Sequence, residues 1–104
     1  MLKEILESIG RFFGKLLDKL IVLVKLLFSR IISWFREREA LVKEDADNLA
    51  FTIKQSLENG KVKFVQGIFN KKTNEIKDAE QFEAEKLDKK LEDAHRGQDL
   101  VIYN

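Results

Sequence analysis

Apolar residues recur every three or four positions over the first third of the chain, without a proline to interrupt them. The series comprises Leu2, Ile5, Leu6, Ile9, Phe12, Phe13, Leu16, Leu17, Leu20, Leu23, Val24, Leu27, Phe28, Ile31, Trp34 and Phe35. This spacing is the period of an amphipathic α-helix. The sequence therefore predicts one long amphipathic helix within residues 1–39, which we treat as an assembly or membrane-surface segment.

Residues 40–104 carry weaker patterns and are predicted to form a small α+β module. In chain order we expect a helix over residues 40–58, a strand over 61–69, a strand or the first turns of a helix over 75–82, a helix over 83–95 and a strand over 99–103. Asn59-Gly60 is interpreted as the stop of the second helix, because glycine tolerates the left-handed conformation found there. The predicted fold class is α+β, with a long N-terminal helix, a second helix and a C-terminal hairpin, helix and strand.

The apolar face of the first helix is too large for the rest of the chain to cover. Each large apolar side chain gains about 1.5–3 kcal/mol on burial, so a face of this size is unstable in water. A globule of the remaining residues has a radius of gyration of about 11 Å, whereas the helix is about 50 Å long. We therefore expect a second copy, another protein or a lipid surface to cover the excess.

Two segments are the candidate interaction sites. The predicted seam on the first helix comprises Phe12, Phe13, Leu16, Leu20, Leu23, Leu27, Ile31, Trp34 and Phe35. The last apolar residues, Leu100, Val101, Ile102 and Tyr103, are expected to form a strand at a free sheet edge, where a neighbouring chain pairs with it.

Charge is unevenly distributed between the two segments. Residues 1–39 hold eight basic and five acidic residues, a net charge of +3, and the remainder holds eleven and thirteen, a net charge of −2. A basic and apolar segment is attracted to an anionic membrane surface. A net charge of +1 for the whole chain does not favour nucleic acid as a partner. Charges within the apolar series (Asp18, Lys19, Lys25 and Arg30) disfavour a transmembrane span.

The residue types needed for catalysis are sparse. The chain lacks cysteine and has a single histidine, His95. The acidic residues of the C-terminal part alternate with lysines, a pattern typical of a solvated helix face. We therefore expect no catalytic residue, no metal site, no cofactor and no small-molecule substrate.

These observations favour a non-catalytic structural or scaffold protein that self-assembles into a homo-oligomer through its first helix. The expected location is the cytoplasm, with peripheral attachment to a membrane as the alternative location. One alternative function is a membrane-active effector of the pore-forming or lytic kind. Another is a small adaptor that binds a larger protein through the first helix.

Overall fold

The computed structural model describes residues 2–13 and 20–103 of the chain. In these ranges the elements are α1 (Leu2–Phe13), β1 (Leu20–Leu26), α2 (Phe28–Glu37), α3 (Glu39–Lys43), β2 (Asn48–Ser56), β3 (Val62–Asn70), β4 (Glu75–Leu87), α4 (Lys89–His95) and β5 (Leu100–Ile102). The strands form one five-stranded sheet in the order β1-β4-β3-β2-β5. Strands β2, β3 and β4 form an antiparallel meander, β5 pairs antiparallel with β2, and β1 pairs parallel with β4.

The two faces of the sheet are covered by different helices. On one face, Ile5 and Phe13 of α1 pack with Phe51, Val65 and Phe69 of the central strands. We call this the α1 face.

On the opposite face, Ile31 of α2 and Leu91 of α4 pack with Phe64 of β3 and Phe82 of β4. We call this the α2/α4 face. The result is a mixed α/β domain dominated by its sheet, and the predicted α+β arrangement of a long helix joined to a small module is wrong.

The prediction of one long helix within residues 1–39 is wrong because this segment contains a strand. Helix α1 has 12 residues, and β1 and α2 follow it. A short continuous apolar run fits the period of a strand as well as that of a helix, so periodicity alone does not separate the two. The β-branched residues Ile21, Val22 and Val24 favour the strand, and pairing with β4 provides its backbone hydrogen bonds.

The predicted helix over residues 40–58 is also wrong. Only Glu39–Lys43 is helical in this region, and residues 48–56 form β2, which lies between β3 and β5. Phe51 and Ile53 face the α1 core while the intervening Thr52 is fully buried on the other side, so both faces of the strand are covered. Asn59-Gly60 belongs to the hairpin turn between β2 and β3, and Gly60 has a φ of +85° there.

Strand β4 extends further than the predictions for residues 75–82 and 83–95. The strand alternative describes residues 75–82, and the strand continues to Leu87, so the helix prediction is wrong for residues 83–87. Phe82 and Ala84 alternate into the α2/α4 core, which a helix at this place would not allow. Strands β3 and β5 lie at the positions where the sequence indicates strands.

Asp88 closes the end of the sheet at which β1 and β4 both stop. Its Oδ2 accepts a hydrogen bond of 2.9 Å from the backbone N–H of Phe28, and its Oδ1 accepts one of 2.9 Å from that of Leu91. Its own N–H donates to the Leu26 carbonyl at 3.0 Å. Because parallel strands end on the same side of a sheet, one carboxylate caps the first turns of both α2 and α4.

Candidate assembly surface

Strand β1 is the last strand on its side of the sheet. Its inner side pairs with β4 over Leu20–Leu26, and no described residue pairs with its outer side. An unpaired outer side leaves a row of backbone N–H and C=O groups that another strand is able to bind. The strand has seven residues, so this edge is long enough for a ladder of several hydrogen bonds.

From Leu20 to Val24 the side chains of β1 alternate between exposed and half-buried positions, and the alternation ends at Lys25, which is exposed, and Leu26, which is buried. Ile21 and Leu23 pack against the core of the α2/α4 face. Successive side chains of a strand point to opposite faces, so Leu20, Val22 and Val24 point toward the α1 face. They are 42%, 64% and 66% exposed, which is unusual for three neighbouring apolar residues of one strand.

Helix α1 lies on the same face as these side chains but does not cover them. Its buried residues cluster with residues of β2 and β3, its backbone approaches β4, and the half-buried residues of the same cluster include Ile76 and Ala79 of β4. The corner near β1 is instead hollow. A cavity of about 190 Å³ there is lined by Leu20, Leu57, Lys63, Gln81 and Glu83.

Charged residues border this apolar corner. Val22 lies beside Glu83 of β4, and Glu83 lies beside Lys63 of β3. Within β1 the single charged residue is Lys25, near the end of the strand. The exposed apolar side chains of β1 therefore form a narrow stripe along an open edge, which we call the β1 stripe (Leu20, Val22 and Val24).

The structure distributes the predicted seam over three settings. Phe13, Ile31 and Trp34 are buried within the chain, Phe12, Leu23 and Phe35 are half-buried, and Leu20 and Leu27 are exposed. Leu16 lies outside the described residues. Phe12 and Phe13 belong to the α1 core, whereas Ile31 and Phe35 belong to the core on the opposite face, so these residues do not share one continuous surface.

The predicted edge strand at Leu100, Val101, Ile102 and Tyr103 lies at the other edge of the sheet. Residues 100–102 form β5, which is short and pairs with β2 through three residues. Leu100 and Ile102 are half-buried against the α1 core. Tyr103 follows the strand and is 37% exposed, and its ring lies 5.6 Å from that of Phe35.

A buried chain of hydrogen bonds holds the β5 edge. Nε2 of His95 lies 2.8 Å from Oγ1 of Thr52, and the Tyr103 hydroxyl lies 2.8 Å from the same oxygen. Nδ1 of His95 lies 2.9 Å from the carbonyl oxygen of Gln98. In a neutral imidazole, Nδ1–H donates to Gln98 and Nε2 accepts from Thr52, which leaves Thr52 to accept from Tyr103.

This chain of hydrogen bonds links α4, β2 and the residue after β5. Burial shifts the pKa values of its two titrating groups, His95 and Tyr103. Burial lowers the pKa of His95, and the nearby ammonium of Lys54 acts in the same direction, whereas the Gln98 carbonyl and Asp99 act against it. Burial also raises the pKa of Tyr103. Thr52 is fully buried, so its hydroxyl is inaccessible to a substrate and acts as a structural link.

The hydrogen bonds that link His95, Thr52 and Tyr103 were not among the predictions made from the sequence. His95 follows Leu91 by four positions, which places both on one face of α4, and both are buried. That spacing was the available signal that the imidazole is directed inward. Its partners were unpredictable, because Thr52 lies 43 positions away in a region expected to be helical.

None of the helices within residues 2–13 and 20–103 has the length and the apolar composition that a membrane span requires. Residues 2–13 and 20–103 also contain no group of three or more histidine, aspartate and glutamate side chains placed to hold a metal ion. No family model, curated protein or solved structure matches this chain.

Proposed function

We propose that this protein is a non-catalytic structural protein that self-assembles into a homodimer through the outer edge of β1. The proposal rests on one observation: the exposed β1 stripe lies beside the outer edge of β1, which pairs with no described residue. Folded proteins usually protect such an edge with charges, bulges or a very short strand. Here seven residues carry one charge, Lys25, which supports a paired state of the edge.

The hydrogen-bonding needs of the edge favour a protein strand over lipid as its cover. Burying the β1 stripe in a membrane would place the outer backbone groups of β1 in a medium without hydrogen-bond partners, at several kcal/mol for each group. A second strand buries the same side chains and also satisfies those groups. Glu83, beside Val22, further disfavours contact with an anionic surface.

The buried hydrogen-bond chain supports the non-catalytic part of the proposal. Both ring nitrogens of the sole histidine are engaged, one with Thr52 and one with the Gln98 carbonyl. A general base needs a free nitrogen within reach of a substrate proton. We place the assembly in the cytoplasm, in keeping with a cysteine-free composition that suits a reducing compartment.

Light scattering after size exclusion tests the proposal on the full chain. We expect a mass twice the monomer's 12.2 kDa at high micromolar concentration. Val22→Lys places two ammonium groups at the junction and should weaken dimerisation at least 100-fold, about 2.8 kcal/mol at 1.4 kcal/mol per tenfold. The matched control is Leu2→Lys, which also replaces an exposed aliphatic side chain by lysine. Leu2 lies on α1, so this variant should keep the dimer mass.

Flotation with vesicles of anionic phospholipid separates the alternatives. The proposal expects the wild-type chain to remain with the soluble fraction as a dimer. A monomer at all concentrations contradicts it, whether or not that monomer floats with vesicles. A dimer that survives Val22→Lys but is lost in Leu2→Lys also contradicts it, because the contact would then lie on α1.

A further inference from the structure

We infer that the partner of β1 is the same strand of a second copy, antiparallel, with Val22 facing Val22 of the second copy across a twofold axis. This inference rests on the proposed function and names the register of the contact. The two sheets would then join into one continuous ten-stranded sheet, since each copy contributes five strands.

The alternation of side chains limits the registers that such a pair is able to adopt. A twofold axis perpendicular to the sheet keeps each face continuous across the junction. Residues that point toward the α1 face must therefore pair with residues that point the same way. Residues of the β1 stripe therefore face stripe residues of the second copy, and Ile21 and Leu23 face Ile21 or Leu23 of the second copy. This requires the twofold axis to pass through a residue and not between two residues.

Three residues near the middle of the strand are candidates for the axis. An axis at Leu23 places charged Lys25 opposite apolar Ile21 twice, and it pairs exposed Leu20 with Leu26, which is already fully buried. An axis at Ile21 pairs Val22 with Leu20 but places Val24, the most exposed member of the β1 stripe, opposite position 18, outside the described residues. Neither register buries the whole stripe.

An axis at Val22 pairs every residue from 20 to 24 with an apolar residue. Leu20 faces Val24 of the second copy, Ile21 faces Leu23, and Val22 faces its own equivalent. All three exposed side chains of each copy then meet on one face, and the half-buried Ile21 and Leu23 meet on the other. The apolar part of β1 is thus self-complementary, which is what an isologous contact requires.

The position of Lys25 favours the antiparallel orientation. In a parallel, in-register pair the two ammonium groups would lie side by side, and like charges directly opposite destabilise a strand pair. In the antiparallel register about Val22 they lie at opposite ends of the junction, about 20 Å apart at about 3.4 Å per residue. Lys25 therefore favours the antiparallel orientation over the parallel one, while the position that it faces in this register, 19, lies outside the described residues.

Because the chain lacks cysteine, single introduced thiols report the register directly. In Val22→Cys the two thiols face each other, with Cβ atoms about 4.5–5.5 Å apart. In Val24→Cys they lie four residues apart along the strands, about 14 Å. A short bifunctional methanethiosulfonate should capture the Val22→Cys dimer at least fivefold faster than the Val24→Cys dimer. Ser33→Cys, exposed on α2, gives the rate of random collision.

A double variant keeps the test decisive if Val22→Cys fails to dimerise. Leu20→Cys combined with Val24→Cys places a thiol opposite a thiol at two points, so its capture should exceed that of either single variant at least fivefold. Equal capture at 22 and 24, or faster capture at Ile21→Cys or Leu23→Cys than at Val22→Cys, overturns the register while the dimer mass stands. A monomeric mass for every variant and for wild type before the reagent is added overturns the proposed function as well.

Discussion

The two outer strands of the sheet are protected in different ways. Strand β5 has three residues, all half-buried, and a buried chain of side-chain hydrogen bonds ties it to β2 and α4. Strand β1 has seven residues and exposes the β1 stripe beside an edge that no described residue pairs. Strand β5 is thus short and is tied to the subunit by side-chain hydrogen bonds, whereas the longer outer edge of β1 has no partner among the described residues.

This difference is the reason why we propose β1, and not β5, for a contact between copies. A three-residue strand offers few backbone groups to a neighbour, and Tyr103 with its hydrogen bond to Thr52 stands directly after it. From the sequence, a neighbouring chain is expected to pair with Leu100–Tyr103, and that pairing stays a prediction. The exposed apolar area and the length of β1 make it the edge that we propose for assembly.

The largest effect is expected at the end of β1, where Asp88 caps two helices. Asp88→Ala removes the acceptor from the amides of both Phe28 and Leu91. At about 1 kcal/mol per lost cap, we expect the free energy of unfolding to fall by about 2 kcal/mol. Thermal denaturation measures the loss, and hydrogen exchange should show the two amides losing protection together. Asp88→Asn keeps one acceptor oxygen, so at least one of the two amides should lose protection in that variant as well. Unchanged protection of both amides in Asp88→Ala would show that the carboxylate does not cap them.

The β5 edge should weaken without any change in assembly when its hydrogen-bond chain is cut. Thr52→Val keeps the shape of the side chain but leaves the buried Nε2 of His95 without its donor, at about 1–2 kcal/mol. At about 4–8 °C per kcal/mol for a domain of this size, the melting temperature should fall by about 4–16 °C. The light-scattering mass should stay that of wild type. A change of mass in Thr52→Val would remove the distinction between the two edges.

A smaller effect is expected from acid, and it concerns the β5 edge alone. Burial lowers the pKa of His95 in the folded chain below 6.5, so the unfolded chain takes up a proton first as the pH falls. The contribution of the neutral imidazole is therefore complete above pH 6.5 and is lost progressively below it, by at most about 1.4 kcal/mol per pH unit.

Denaturant unfolding at pH 7.5 and 5.5 measures this contribution. We expect wild type to be less stable at pH 5.5 than at pH 7.5, since the unfolded chain binds the extra proton in the part of the interval below 6.5. His95→Gln supplies a neutral side chain at the same place and should lose much less. Equal losses in the two proteins would assign the pH dependence to carboxylates instead of the imidazole.

Local patterns in the sequence identified several elements because their residues decide them alone. The composition of residues 61–69 indicates β3, and the apolar residues at the chain end indicate β5. The polar residues after β3 indicate a turn, which the Asn70 side chain stabilises by accepting hydrogen bonds from the Lys72 and Thr73 amides. The spacing of the apolar residues likewise led to the expectation of a large apolar surface in the first third of the chain.

Tertiary contacts decided the rest. The run around Val22 satisfies the helical and the strand period alike, and only the presence of β4 as a partner makes it a strand. The same holds for Phe51 and Thr52, whose strand conformation depends on β3 and β5 on either side. The contact between His95 and Thr52 forms only in the folded chain, because no local pattern predicts a contact between residues 43 positions apart. The apolar pattern of the sequence therefore determined which side chains favour burial. The pairing of distant strands determined which of these side chains are buried within the subunit and which are exposed.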